Sequence, residues 1–299
     1  KVYPVNPSAK GQKILGEEVF AKITDIKESV DIVDVFRPSK EALDIAKDTI
    51  NIGAKVFWLQ LGIKNEDAKK LVEKTIWFSL LMQLITSIIP LHAFFIKIPE
   101  NDKILTDILG LETIVQFVEM IFYIWIAYSV LNVNKMASRR YIDWVITTPM
   151  MLLSTIMFMK YKETKEIKKD NDLEKKSLNT KDFLNDNKEN IFSIFGYNLL
   201  MLLFGYLGET NVISKYLSIP IGFIFFIKSF EIIYKNYANK TLQGENLFLF
   251  LTIIWALYGI AATFPVNMKN VSYNMLDLIS KNFYGLYIYY EIMKLKNNN

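Results

Sequence analysis

The run Arg140-Tyr141-Ile142-Asp143-Trp144-Val145-Ile146-Thr147-Thr148-Pro149 leads without a break into Met150-Met151-Leu152-Leu153-Ser154. It lies inside an apolar stretch of about 20 residues, long enough to cross a bilayer as a helix. On a helix Asp143, Thr147 and Ser154 fall at i, i+4 and i+11, so all three line one stripe. Ser154 then stands about 16 Å along the axis from Asp143. A proline inside a membrane helix is tolerable, because neighbouring groups can satisfy the freed carbonyl. A carboxylate there is costly and needs a reason.

A second such cost lies in Asp277-Leu278-Ile279-Ser280-Lys281. Asp277 and Lys281 are four apart and share a helix face. Lys281 sits near the middle of its span, too deep to snorkel to an interface. Two readings stand at this point. One is a structural ion pair. The other is an amine poised to form a Schiff base, since a desolvated lysine loses its proton and attacks an aldehyde.

Outward from these motifs the charges are uneven. The chain has 299 residues, no cysteine and a formal net charge of +4. Residues 1–74 hold 13 basic and 12 acidic residues, and 160–190 hold 9 and 8 more, which leaves 24 for the other 194. A disordered chain, a disulfide scaffold and a single soluble domain are excluded. So is metal or thiol chemistry that needs cysteine, and metal binding has no support. The small net charge gives no nucleic-acid footprint. Seven apolar spans are expected: Thr75–Ile98, Ile104–Leu131, Ala137–Tyr161, Asn190–Leu207, Val212–Asn236, Asn246–Phe264 and Val271–Met293. The connection Lys162–Lys188 reads as a solvated polar linker. Its lysines place it in the cytoplasm, with Lys235, Lys240, Lys294 and Lys296 on the same side. The N-terminus is then outside and the C-terminus cytoplasmic.

Residues 1–74 read as a small α/β module. Val2–Val5, Val30–Phe36 and Val56–Leu61 are expected strands. Ser39–Asn51 and Asn65–Lys74 are expected helices, and the alternation suggests a parallel sheet. The domains are therefore 1–74 and 75–299. The fold class is an all-α membrane protein, a seven-transmembrane-helix bundle preceded by a partial Rossmann-like module.

The run Arg140–Pro149, with Asp277–Lys281, closely resembles the third and seventh helices of the microbial rhodopsins, and the resemblance covers about residues 76–299. It implies that Lys281 binds all-trans retinal as a protonated Schiff base. Asp143 and Asp277 would be its counterions, Asp143 also the proton acceptor, with Arg140 on their outer side. Two carboxylates beside a cationic imine stabilise its charge. Trp144, Thr148, Trp255 and Tyr258 match pocket residues. Gly259 and Ala262 stand where many members carry proline and tryptophan, which implies a looser ring end. Asp143, Thr147 and Ser154 resemble the three-letter motif of the viral rhodopsins. Ser154 stands at the proton-donor position, where a hydroxyl cannot act as an acid near neutrality. Between the sixth and seventh spans no acid precedes Asp277, so outer proton-release carboxylates are not evident.

The second span carries Glu112, Gln116, Glu119 and Tyr123 at i, i+4, i+7 and i+11. The first offers Ser79, Gln83 and Thr86 at i, i+4 and i+7. These set either packing through hydrogen bonds or an ion path, and the acids resemble those of channelrhodopsins. Glu119 is expected beside the path and away from the imine. His92 reads as an interfacial residue. The sequence therefore leans to a light-gated cation channel. The alternative is a light-driven outward proton pump without a carboxylic donor, and a sensory photoreceptor is a third class. No enzyme activity is expected. Expected partners are the lipid bilayer, protons or small cations, and further copies of the chain.

The first 74 residues resemble part of the CoA-binding Rossmann-like domains. Lys1–Pro7, Val30–Pro38 and Val56–Gly62 carry the likeness. The glycine loop that would hold pyrophosphate at a helix N-terminus is not among them, so CoA binding is not expected. The segment is expected to be a fusion or fragment dispensable for the membrane domain.

Overall fold

The computed structural model describes residues 1–14, 16–38, 41–59, 66–128, 133–170 and 178–297. Two compact units divide the chain, Lys1–Lys70 and Leu71–Asn299.

In the first unit, β1 (Lys13–Ile14) and β2 (Glu17–Glu18) form a short antiparallel hairpin. β3 (Ile32–Val35), α1 (Ala42–Asn51) and β4 (Val56–Leu59) follow, and β3 pairs with β4 in parallel, Ile32 opposite Val56 and Val35 opposite Leu59. Val33 and Val35 are buried while Ile32 is exposed. That is the alternation of a sheet covered on one face. The parallel pair and its connecting helix match the sequence reading. The strand expected at Val2–Val5 does not form. Only Val5 bridges Phe20, because Pro4 and Pro7 lack the N–H groups a ladder needs. Ser39, Asn65 and the end of the strand expected to reach Leu61 lie outside the described residues.

The second unit is helical. α2 runs Glu66–Ile88 and tightens into a 3₁₀ turn, Ile89–Phe95. The separate helix expected at Asn65–Lys74 is thus the start of the first membrane helix. Nothing between Glu66 and Ile88 breaks a helix, since neither glycine nor proline occurs there. Next come α3 (Ile104–Tyr128), α4 (Val133–Asp170), α5 (Thr180–Asp186), α6 (Lys188–Glu209), α7 (Lys215–Asn236) and α8 (Leu242–Ala261). Then α9 (Val266–Asp277) passes through a π turn, Leu278–Asn282, into α10 (Phe283–Asn297). Leu131, the expected end of the second span, is outside the described residues.

Among the described residues six helical runs are long and apolar enough to cross a membrane. The seventh run, 266–297, carries Asp277 and Lys281. The burial is inverted relative to a water-soluble bundle. Trp77, Phe78, Phe192, Leu199 and Ile227 point outward, while Glu112, Glu119, Arg140, Asp143, Asp277 and Lys281 are buried. Apolar surface is free to face lipid, whereas ionisable groups there must turn inward.

The polar linker is a correction in part. α4 continues to Asp170 and α5 forms at 180–186, while 171–177 lie outside the described residues. Ion pairs stabilise the extension. Lys160 meets Glu163 one turn on, Lys162 reaches Glu291, and Lys165 meets Asp102 at 2.5 Å. Pairs at i and i+3 support helix, so the described part of the charge run up to Asp170 is helix rather than loop.

Candidate functional site

α4 and the 266–297 run face each other with opposite charges. Lys281, in the π turn, donates from Nζ to Asp143 Oδ2 at 2.6 Å. Asp277 Oδ1 is 3.9 Å from the same nitrogen. The sequence spacing placed Asp277 and Lys281 on one face, and the π turn keeps them in ion-pair reach. Such turns add a residue to the helix and recur at functional sites.

A third carboxylate joins them. Glu119 Oε1 of α3 lies 3.4 Å from Lys281 Nζ. This corrects the expectation that Glu119 stands away from that nitrogen. The heptad spacing on α3 gave its face but not how closely α3 approaches the π turn.

Arg140 is fully buried and donates to Asp277 Oδ2 at 2.7 Å, to the Tyr123 hydroxyl at 3.0 Å and to Asn274 Oδ1. Tyr123 and Tyr258 each donate to Asp277 at 2.7 Å. Asp277 is therefore an acceptor with three donors, one of them charged. Charge-assisted bonds of this kind stabilise an ionised carboxylate. Asn274 was missed from sequence, because a lone amide one turn before Asp277 carries no motif. Its Nδ2 donates to Thr75 Oγ1 at 2.8 Å, and Ser79 donates to its backbone carbonyl.

The other end of the stripe is equally buried. Ser154 Oγ donates to Glu112 Oε1. Glu112 Oε2 and both amide atoms of Gln116 have no hydrogen-bond partner among the described residues. Gln116 lies against α10 at Gly285, where a Cβ would overlap its amide. Thr147 donates to the Asp143 carbonyl and Thr148 to that of Trp144. Asn198 of α6, also missed from sequence, donates to Thr148 Oγ1 at 2.8 Å. His92 contacts the Tyr289 hydroxyl at 3.2 Å.

Beside this network lies an apolar cavity of about 110 Å³. Its walls include Trp144 and Thr148 of α4, Phe223 of α7, and Trp255, Tyr258 and Gly259 of α8, and Lys281 also lines it. The Trp144 and Tyr258 rings meet edge to face, centroids 5.4 Å apart. A Cβ at Gly259 would strike the Phe223 ring.

On the side of Arg140, Glu209 at the end of α6 is gripped by Lys269, Nζ 2.6 and 2.7 Å from its two oxygens. This buried carboxylate closes α6, 60 residues before Lys269, and only the folded chain joins the two.

A family model for bacteriorhodopsin-like proteins matches residues 74–295. The chain belongs to the bacteriorhodopsin-like family, and its membrane unit is a multi-pass rhodopsin domain. A crystal structure of the viral rhodopsin OLPVRII is 28% identical with a TM-score of 0.64, covering 75% of this chain and 99% of that one. A blue light-absorbing proteorhodopsin from Med12 is 19% identical at TM-score 0.57, covering 76% and 98%. Xanthorhodopsin, a light-driven ion pump with dual chromophore, is 17% identical at 0.58, covering 78% and 96%. The last two likenesses show the fold alone. A CoA binding domain model matches residues 1–84. Over 74 residues the chain is 32% identical to the uncharacterized protein YneT of Bacillus subtilis (strain 168), 25% of this chain and 53% of that protein. The chain thus spans about half the length of that curated relative.

Members of the bacteriorhodopsin-like family bind retinal, and the residues present fit it. A cavity walled by aromatic rings suits a polyene and its ring. The buried amine of Lys281 lines that cavity and has carboxylate partners.

Proposed function

We propose that the protein is a light-driven outward proton pump that holds all-trans retinal on Lys281. The observation that carries this reading is the hydrogen bond from Ser154 to Glu112. Ser154 alone cannot serve as a proton donor. The bond supports a donor whose carboxyl comes from α3 and whose hydroxyl comes from α4.

Bound retinal supplies the absorption of a photon and a change of double-bond geometry. The chain's own groups handle the proton. Asp143 Oδ2, 2.6 Å from Lys281 Nζ, is the acceptor. Direct contact at that distance allows transfer without an intervening water. Asp277 is held in place by hydrogen bonds from Arg140, Tyr123 and Tyr258. Glu112 then returns a proton from the opposite side. Along α4, Arg140 precedes Asp143 and Ser154 follows it by about 16 Å. With the lysine-rich 160–190 side in the cytoplasm, the acceptor lies outward of the donor, which gives the direction of transport. The N-terminus is then outside and the C-terminus cytoplasmic.

A second reading is a light-gated cation channel. The buried, unpartnered polar atoms of Glu112, Gln116 and Glu119 favour it, since hydration would satisfy them. The outward lipid-exposed apolar faces also suit packing of further copies of the chain. Residues 1–74 are proposed as a separate module outside the transport cycle, with no CoA bound.

Photocurrent measured across a range of clamped voltages separates the two readings. A pump's current stays outward, while a channel's reverses near the equilibrium potential of its ions.

A further inference from the structure

Three carboxylates surround the Lys281 nitrogen. Asp143 lies at 2.6 Å, Glu119 at 3.4 Å and Asp277 at 3.9 Å. The cations among them are Lys281 and Arg140. Every one of these side chains is 2% exposed or less. Three anions and two cations would leave an uncompensated negative charge in a closed site, which is expensive.

The hydrogen bonds decide which carboxyl is neutral. Asp277 accepts from Arg140, Tyr123 and Tyr258. Asp143 accepts from Lys281. Neither oxygen of Glu119 accepts a hydrogen bond from any described residue. An ionised carboxylate without donors is the least stabilised of the three.

We infer that Glu119 holds a proton in the resting protein and is the group that hands it to Lys281 Nζ after Asp143 has taken the first one. This rests on the pump reading above and adds a member to its return path. The proton balance closes when Asp143 afterwards gives up its proton to the outer water, on the side of Arg140. Transfer to Asp143 Oδ2 leaves Lys281 Nζ with a free lone pair and Asp143 neutral. The Glu119 carboxyl, 3.4 Å away, then gives its proton to Nζ and becomes a carboxylate. Glu112, two turns back on α3, reprotonates Glu119, with the Gln116 amide standing between them. Glu112 recovers its proton from the cytoplasmic water. Besides Lys281, Asp143, Asp277 and Arg140, the groups facing Glu119 include the Tyr123 hydroxyl, which is neutral and committed to Asp277.

The test begins without light or retinal. Infrared spectra of the full chain in lipid, before retinal is added, are compared between the wild type, Glu119→Gln and Glu112→Gln. The expected result is a protonated carboxyl C=O band, shifted in D₂O, that Glu119→Gln removes and Glu112→Gln leaves in place. The second measurement is proton return after a flash on the retinal-loaded protein. Glu119→Gln should slow it about a hundredfold, the low end of what a positioned acid contributes. Glu119→Asp should restore part of the rate. Absence of the Glu119 band, or proton return at the wild-type rate in Glu119→Gln, overturns the inference while leaving the pump reading intact. A band that is present in a protein whose photocurrent reverses with voltage would remove the pump reading instead.

Discussion

Lys281 Nζ and Asp143 Oδ2 are 2.6 Å apart, an ion pair between residues 138 positions apart in sequence. Only the fold makes it. α4 brings Asp143 to the inner face, and the π turn at Leu278–Asn282 aims Lys281 at it. The pair lies where the aromatic cavity meets the buried carboxylates.

Lys281→Ala should abolish the visible band that forms when all-trans retinal is added to the apoprotein. Absorption spectra before and after addition check this. A full-strength band in the variant would mean that retinal is held elsewhere.

Asp143→Asn removes the nearest negative charge from the Lys281 nitrogen. The absorption band should shift to the red at neutral pH, and acidification should give the wild type the same shift. Flash spectroscopy should show the first proton transfer largely lost. An unchanged spectrum and photocycle would move the acceptor role to Asp277.

Arg140→Gln leaves Asp277 buried without its charged hydrogen-bond donor. Breaking a buried pair in this way costs about 3–5 kcal/mol. The variant should bleach at a clearly lower temperature in a thermal melt followed at the retinal band. A melt that matches the wild type would show that Tyr123 and Tyr258 suffice to hold Asp277.

Gly259→Ala puts a methyl group into the Phe223 ring. Overpacking of this kind costs about 1–3 kcal/mol, and here it falls on the cavity wall. Retinal uptake should slow and the band should shift, both read in a reconstitution time course. Uptake and colour identical to the wild type would mean that Phe223 moves aside freely.

Much of this site was legible in the sequence, and the reasons are local. Asp143, Thr147 and Ser154 share a stripe by helical spacing alone, and all three are buried. Glu112, Gln116 and Glu119 were placed on one face by the same arithmetic. What spacing cannot give is the distance between helices. The approach of Glu119 to Lys281, the Ser154–Glu112 bond and the Glu209–Lys269 pair each depend on it. The N-terminal strand at Val2–Val5 failed for another reason, since hydrophobic residues there are interleaved with proline. Val72 is fully buried in the cluster with Ile76, Phe122 and Tyr123, so a truncation that spares this cluster must stop before Val72. Deleting residues 1–65 should leave the absorption band and the photocurrent intact. Loss of either would assign this segment a part in folding or transport.

The most direct test is the stationary photocurrent of the full chain in a voltage-clamped membrane, recorded with Glu112→Gln alongside. The expected result is an outward current at every voltage in the physiological range, strongly reduced in Glu112→Gln. A current that changes sign near the equilibrium potential of a cation, or one indifferent to Glu112→Gln, would contradict the outward proton pump.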